Sequence, residues 1–170
     1  LQGDWSSDVC SSDLTQDADY SVTLASGVNA TMSKAQNDLI SSAAGTNTVT
    51  LSNAVSATGH GQVEAYVLAN GNQTFTLGVA SQNVTTGTGT ITIDTGSVSD
   101  ITDAALDGNL ATGLTINLAA NTDISDAVIK GTEDTQDEDY SVTLASGVNA
   151  TMSRAQHLLI STATDTNTVR

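Results

Sequence analysis

The residues of this chain best equipped for chemistry are its acids. Asp134, Asp137, Glu138 and Asp139 form a run, Asp17 and Asp19 hold matching places earlier, and Asp100, Asp103 and Asp107 sit in a Ser-Asp-Ile-Thr-Asp-Ala-Ala-Leu-Asp loop. Oxygen-rich loops of this kind suit Ca²⁺, a hard cation that takes about six to eight oxygen ligands. The competing reading is a set of solvated, charged turns. Spacing favours it, since neither an EF-hand loop nor a full Gly-Gly-x-Gly-x-Asp nonapeptide is present. His60 and His157 have no Cys or carboxylate at ligand spacing, and His157 stands where a repeated copy of its segment has Asn37. Neither a Gly-x-Ser-x-Gly elbow nor a phosphate-binding loop followed by Lys occurs. A carboxylate pair for glycoside cleavage is a matter of three-dimensional separation, yet these acids recur with the repeat, whereas a catalytic pair occupies one place. The sequence therefore assigns no catalytic, cofactor-binding or metal-ligating residue. It leaves Ca²⁺ as the one cofactor worth considering and leads us to expect a non-enzymatic chain.

Hydroxyls are the second chemical resource. Thr48/Thr50, Thr74/Thr76 and Thr90/Thr92, with Ser21/Thr23 and Ser141/Thr143, are pairs at i and i+2. In a strand such pairs share one face. Stacked in register they make a flat hydroxyl and methyl ladder that resembles the ice-binding face of solenoid antifreeze proteins, although Asn117 interrupts it. The plainer alternative is that Thr is simply a good outward residue on a strand.

Composition narrows the classes. The chain has 170 residues, 19 Asp+Glu against 4 Lys+Arg, a formal charge of −15, no proline and one cysteine. A disulfide framework or a thiolate zinc site needs more cysteines. Four scattered cations cannot form the phosphate-binding patch of a nucleic-acid protein, and no apolar run approaches the ~20 residues of a membrane helix. The run Asp4 to Leu14, which with Leu1 to Gly3 has no apolar periodicity, equals a translated sequencing-adapter strand residue for residue. We read residues 1–14 as an artefact and leave them out of fold reasoning. Without them the charge is −12, from 16 acids and 4 bases, and the lone Cys10 and Trp5 disappear.

These side chains must be positioned by repeated elements. Thr15 to Thr50 recurs at Thr135 to Arg170 with 28 of 36 positions identical and an offset of 120 residues, so residues 15–134 form one unit and 135–170 begin a second. Within the unit, Ser-Val-Thr-Leu24, Thr-Val-Thr-Leu51, Thr-Phe-Thr-Leu77, Thr-Ile-Thr-Ile93, Thr-Ile-Asn-Leu118 and Ser-Val-Thr-Leu144 alternate polar and apolar residues, as half-buried strands do. Val63 to Leu68 and Val128-Ile129 supply a second side, and Ser33 to Ile40 reads as a short helix with Ser33 and Gln36 as a capping box. A period near 25 residues, with a shortened coil between Leu77 and Ile93, predicts an all-β parallel β-solenoid of about six coils. The alternative is an immunoglobulin-like β-sandwich.

The stretch from Gln62 to Thr90, with Tyr140 to Ile160, resembles the repeats of large secreted bacterial surface proteins of the repeats-in-toxin-like and adhesin-like kind. In that group Gly-rich nonapeptides with Asp bind Ca²⁺; here Gly87-Thr-Gly-Thr-Ile91 keeps the glycines and lacks the Asp. The resemblance implies an extracellular or cell-surface repeat segment. Its partners would be neighbouring repeats of the same chain and surface glycans or other cells, with no nucleic acid and no membrane span. A polysaccharide-active β-helix enzyme is the alternative from a different class.

Overall fold

The computed structural model describes residues 20–132, 139–163 and 166–170. The adapter-like run, Asp17, Asp19 and Asp134 to Glu138 lie outside the described residues. In chain order the elements begin with β1 (Val22–Leu24), β2 (Asn29–Met32), α1 (Lys34–Asn37), β3 (Ile40–Ala43), β4 (Thr48–Leu51) and β5 (Ala57–Thr58). Next come β6 (Ala65–Val67), β7 (Gln73–Thr76), β8 (Asn83–Thr85), β9 (Thr90–Asp94), β10 (Ala105–Asp107) and β11 (Gly113–Leu118). The last are β12 (Thr122–Asp123), β13 (Val128–Lys130), β14 (Ser141–Leu144), β15 (Asn149–Thr151), α2 (Arg154–Leu158), β16 (Ile160–Ala163) and β17 (Thr168–Val169).

All pairings among these strands are parallel. One six-stranded sheet runs β13-β10-β8-β6-β4-β2 and another runs β16-β14-β11-β9-β7-β5. From β4 to β11 the chain alternates between them, so each coil there adds a strand to each sheet, while β1 and β3 pair with each other in a separate two-stranded sheet. The result is a parallel β-solenoid of about seven turns, one more than the sequence suggests. An immunoglobulin-like sandwich is ruled out, because its sheets are antiparallel.

The period also differs from expectation. Val49 pairs with Tyr66 and Tyr66 with Val84, steps of 17 and 18 residues. Phe75 pairs with Ile93, again 18 residues on, whereas Ile93 to Ile116 and Ile116 to Val142 are steps of 23 and 26. Short coils are thus the rule as far as β9, and the coil between Leu77 and Ile93 is ordinary. The spacings of 27 and 26 on either side of Leu51 arise because β4 belongs to the β2–β13 sheet while β7 belongs to the other, whereas those after Ile93 reflect the longer coils. The longer coils spend their extra residues on a third side, which the second copy continues at steps of 18 and 19 residues, Val142 to Ile160 and Asn149 to Thr168. There β12, β15 and β17 form their own sheet, extended by an Asp100–Asp123 bridge, and the Ile101 and Ile124 N–H groups donate to Asp123 and Thr151 carbonyls at 2.9 Å.

Period-two alternation decides what is buried. β4 and β11 read half-buried then buried along their length, which places Val49, Leu51, Leu114, Ile116 and Leu118 in one continuous core with Ile91, Ile93 and Val142. The only described aromatic pair lies across this core: Tyr66 of β6 and Phe75 of β7 have ring centroids 4.8 Å apart. Corners are made by tight turns in which a residue donates to the carbonyl three places back, as in Val28 to Ala25, Val63 to His60, Val98 to Thr95 and Val148 to Ala145. Both short helices form with the expected capping box: the Ser33 and Ser153 hydroxyls accept from the Gln36 and Gln156 N–H groups, and the glutamine side chains accept from the serine N–H groups.

Candidate functional site

The most ordered array of reactive groups is the outer face of the β5–β16 sheet. Because i and i+2 share a face, two rows stand on it about 7 Å apart, with a step of about 4.8 Å from strand to strand. One row is Thr74, Thr92, Thr115 and Ser141. The other is Thr58, Thr76, Asp94, Asn117, Thr143 and Thr162. The Thr115 and Ser141 hydroxyls lie 3.1 Å apart. In the second row Thr143 donates to Asn117 Oδ1 at 2.8 Å, Asn117 Nδ2 donates to Asp94 Oδ2 at 2.7 Å, and Asp94 Oδ1 accepts from the Gly96 N–H at 2.6 Å. The middle of that row, Asp94, Asn117 and Thr143, is thus bonded to itself. The first row carries a hydroxyl on every strand of this sheet from β7 to β14, groups that can both donate to and accept from the hydroxyls of a sugar or ordered water.

The structure does not bring all the threonines onto this face. Thr48 and Thr50 stand on the other sheet, beside Asn29 and Thr31 of β2 and Ala65 and Val67 of β6. Thr90 pairs with Gly113, so its position in the ladder ends there. Ser21 precedes β1 and Thr23 lies within it, in a two-stranded sheet with β3.

The acids are spread out. Asp100 accepts from the N–H and hydroxyl of Thr102, and these two bonds, the backbone one first, hold its carboxyl below the usual carboxylate range. Asp123 binds Ser125 in the same way, and Asp107 accepts from the Asn109 N–H while pairing with Lys130 at 3.5 Å. They are turn-forming side chains at corners. Asp103 and Asp139 are exposed, and no group of three or more potential metal ligands occurs among the described residues. His60 holds a corner: its N–H donates to Tyr66 Oη at 2.8 Å and its Nδ1 accepts from the Gln62 N–H. His157 is exposed on α2.

Sequence reasoning missed the buried amides. Gln82 accepts from the Gly78 N–H and donates to the carbonyls of Val63 and His60, at 2.9, 2.7 and 3.1 Å. Asn47 accepts from the Val28 N–H and donates to Ala44, at 3.0 and 2.9 Å. Two exposed amides, Asn70 and Asn72, accept from the Thr88 and Thr90 N–H groups one coil on. Asn47 and Gln82 stand immediately before β4 and β8 and reach groups about one coil earlier, a relation visible only once the true coil length is known.

Among the described residues no helix is long and apolar enough to cross a membrane, which says nothing of strands. Comparison with family models, with curated proteins and with solved structures finds no match to this chain.

Proposed function

We propose that the chain is a structural and adhesive repeat segment of a large secreted or cell-surface bacterial protein, with no catalytic role. The observation that carries this reading is the agreement of the two sequence copies. Residues 139–163 rebuild the strand, strand, helix, strand order of residues 20–43 and stack it on the preceding coils through β11–β14 and β12–β15. A fold that adds material along one axis by duplication is suited to extending and presenting a surface. The excess of acids limits association between neighbouring rods, and the Thr74–Ser141 row supplies a hydroxyl-lined face of the kind that meets glycans. An antibody against the purified chain is expected to label intact cells or culture medium of the source bacterium; labelling only after permeabilisation overturns the surface assignment. Release of reducing sugar from a polysaccharide panel overturns the non-enzymatic one.

The same row favours a second reading, ice binding, since four hydroxyl-bearing side chains stand in register on parallel strands. Asp94 and Asn117 in the adjacent row weigh against it. Thermal hysteresis measured on the purified chain decides, and its absence discards this reading.

A further inference from the structure

The two copies of the repeated segment have nearly the same sequence but differ in what covers them. Val148 is 4 % exposed and its counterpart Val28 is 37 % exposed; Tyr140 is 9 % exposed and Tyr20 55 %. Val142 and Ala150 are buried, while Val22 and Ala30 are only partly so. The difference comes from the coils beneath the second copy, where β14 pairs with β11, β15 pairs with β12, and the buried Gln156 Nε2 donates to the Ile124 carbonyl at 2.7 Å. Gln36, identical in its capping box, has no such acceptor among the described residues. Among the described residues no strand pairs with the edges of β1 and β2 opposite β3 and β4.

We infer that this face, built from Tyr20, Val22, Val28, Ala30 and Gln36, is the docking surface for the last coils of another 120-residue unit, of the sequence carried by residues 111–132. The inference rests on the reading of the chain as part of a repeat array, and it adds that the array is one continuous solenoid rather than a string of separate beads. The occupant is identified by continuity with an interface already formed. The same apolar residues, the same two strand edges and the same glutamine amide are covered by residues 111–132 in the second copy. The upper face repeats the argument in reverse: Val169 is partly buried where Val49, covered by β6, is buried, and Ile160 is partly buried where Ile40 is buried. A unit contains six strand positions on one side, β1, β3, β5, β7, β9 and β11, before β14 repeats β1. Each added unit therefore lengthens the rod by about 29 Å.

The test compares the full chain with a form in which residues 15–134 are duplicated in tandem, so that the new junction repeats the existing one after Asp134. Amide exchange over residues 20–36 is expected to slow about tenfold or more in the inner copy, to the level of residues 140–156. Val148→Thr should lower the melting temperature of the present chain by roughly 2–6 °C, and Val28→Thr should not. In the lengthened chain the inner Val28→Thr should cost as much as Val148→Thr. Unchanged exchange in the inner copy, or a silent inner Val28→Thr, overturns the proposal. So does exchange over residues 20–36 of the present chain already as slow as over 140–156, which would mean that another part of the chain covers the face. Beads on a string would sink this inference while leaving the surface-spacer reading intact, and an intracellular location would do the reverse.

Discussion

At the scale of single residues, Tyr66 is the most informative side chain. Its hydroxyl donates to Asn37 Oδ1 and accepts from the His60 N–H, both at 2.8 Å, in a buried site that raises its pKa from 10.0 to about 12. Burial is the main cause, partly offset by the bond from His60, with the charge of Asp38 a smaller push in the same direction as burial. The folded protein keeps a proton that the unfolded chain has released between pH 10 and 12. Its contribution is complete below pH 10 and is lost as pH rises through about 12, on the order of 2 kcal/mol in all. Tyr66→Phe should cost about 1–3 kcal/mol at pH 8, by leaving a buried carbonyl oxygen and an N–H unpaired. It should also flatten the fall in stability between pH 10 and 12; urea melts of both proteins across that range check the two effects together. Gly89 makes a second residue-scale case. It has φ +109°, and an added Cβ would lie 2.7 Å from the Gly71 carbonyl carbon. Gly89→Ala should therefore destabilise by about 2 kcal/mol or more. Gly113→Ala, whose Cβ would meet nothing nearer than 3.7 Å, is the control and should change the thermal midpoint little.

At the scale of elements, the short helices show how a local signal gains its strength from its surroundings. Serine and glutamine three apart point to α1 and the capping box forms as expected, but the helix ends at Asn37 and Ile40, expected within it, opens β3. The same box in α2 does more, because Gln156 also reaches the Ile124 carbonyl across the coil boundary. Gln156→Ala should cost about 2–3 kcal/mol, and Gln36→Ala only about 1 kcal/mol, the value of the cap alone; denaturant midpoints of the two variants give the comparison. Strand positions were legible for the same local reason, since Thr-Val-Thr-Leu and Thr-Ile-Thr-Ile announce one wet and one dry face. Which sheet each strand joins was not legible. Strands on both sides border the same narrow core and so carry the same pattern, and only the hydrogen-bond register separates Thr48–Leu51 from Gln73–Thr76. The expected ladder therefore holds in part: Thr74, Thr76, Thr92, Ser141 and Thr143 stand on one sheet, and Thr48 and Thr50 stand on the other.

At the scale of the whole molecule, charge and stacking act against each other. The described salt bridges are the exposed pairs Lys34–Asp38 and Lys130–Asp107, which offset little of the acidic excess. Raising sodium chloride from about 10 to 150 mM shortens the screening length from about 30 to 8 Å, so the melting temperature should rise as self-repulsion fades. Circular dichroism melts in the two buffers test this, and a fall would show that specific ion pairs matter more than net repulsion. The sequence by itself determined that the chain repeats at 120 residues, that its strands are half-buried, and that its ends of helix are capped, because these depend on residue types a few places apart. Only the tertiary structure decided the 17- to 18-residue coils, the third side that begins with the longer ones, and the self-bonded group of Asp94, Asn117 and Thr143. It also decided that one copy of the repeat is covered where the other is bare. Those features depend on which strand lies beside which, and in a solenoid the neighbour is one coil away in sequence, a distance that residue patterns alone do not state.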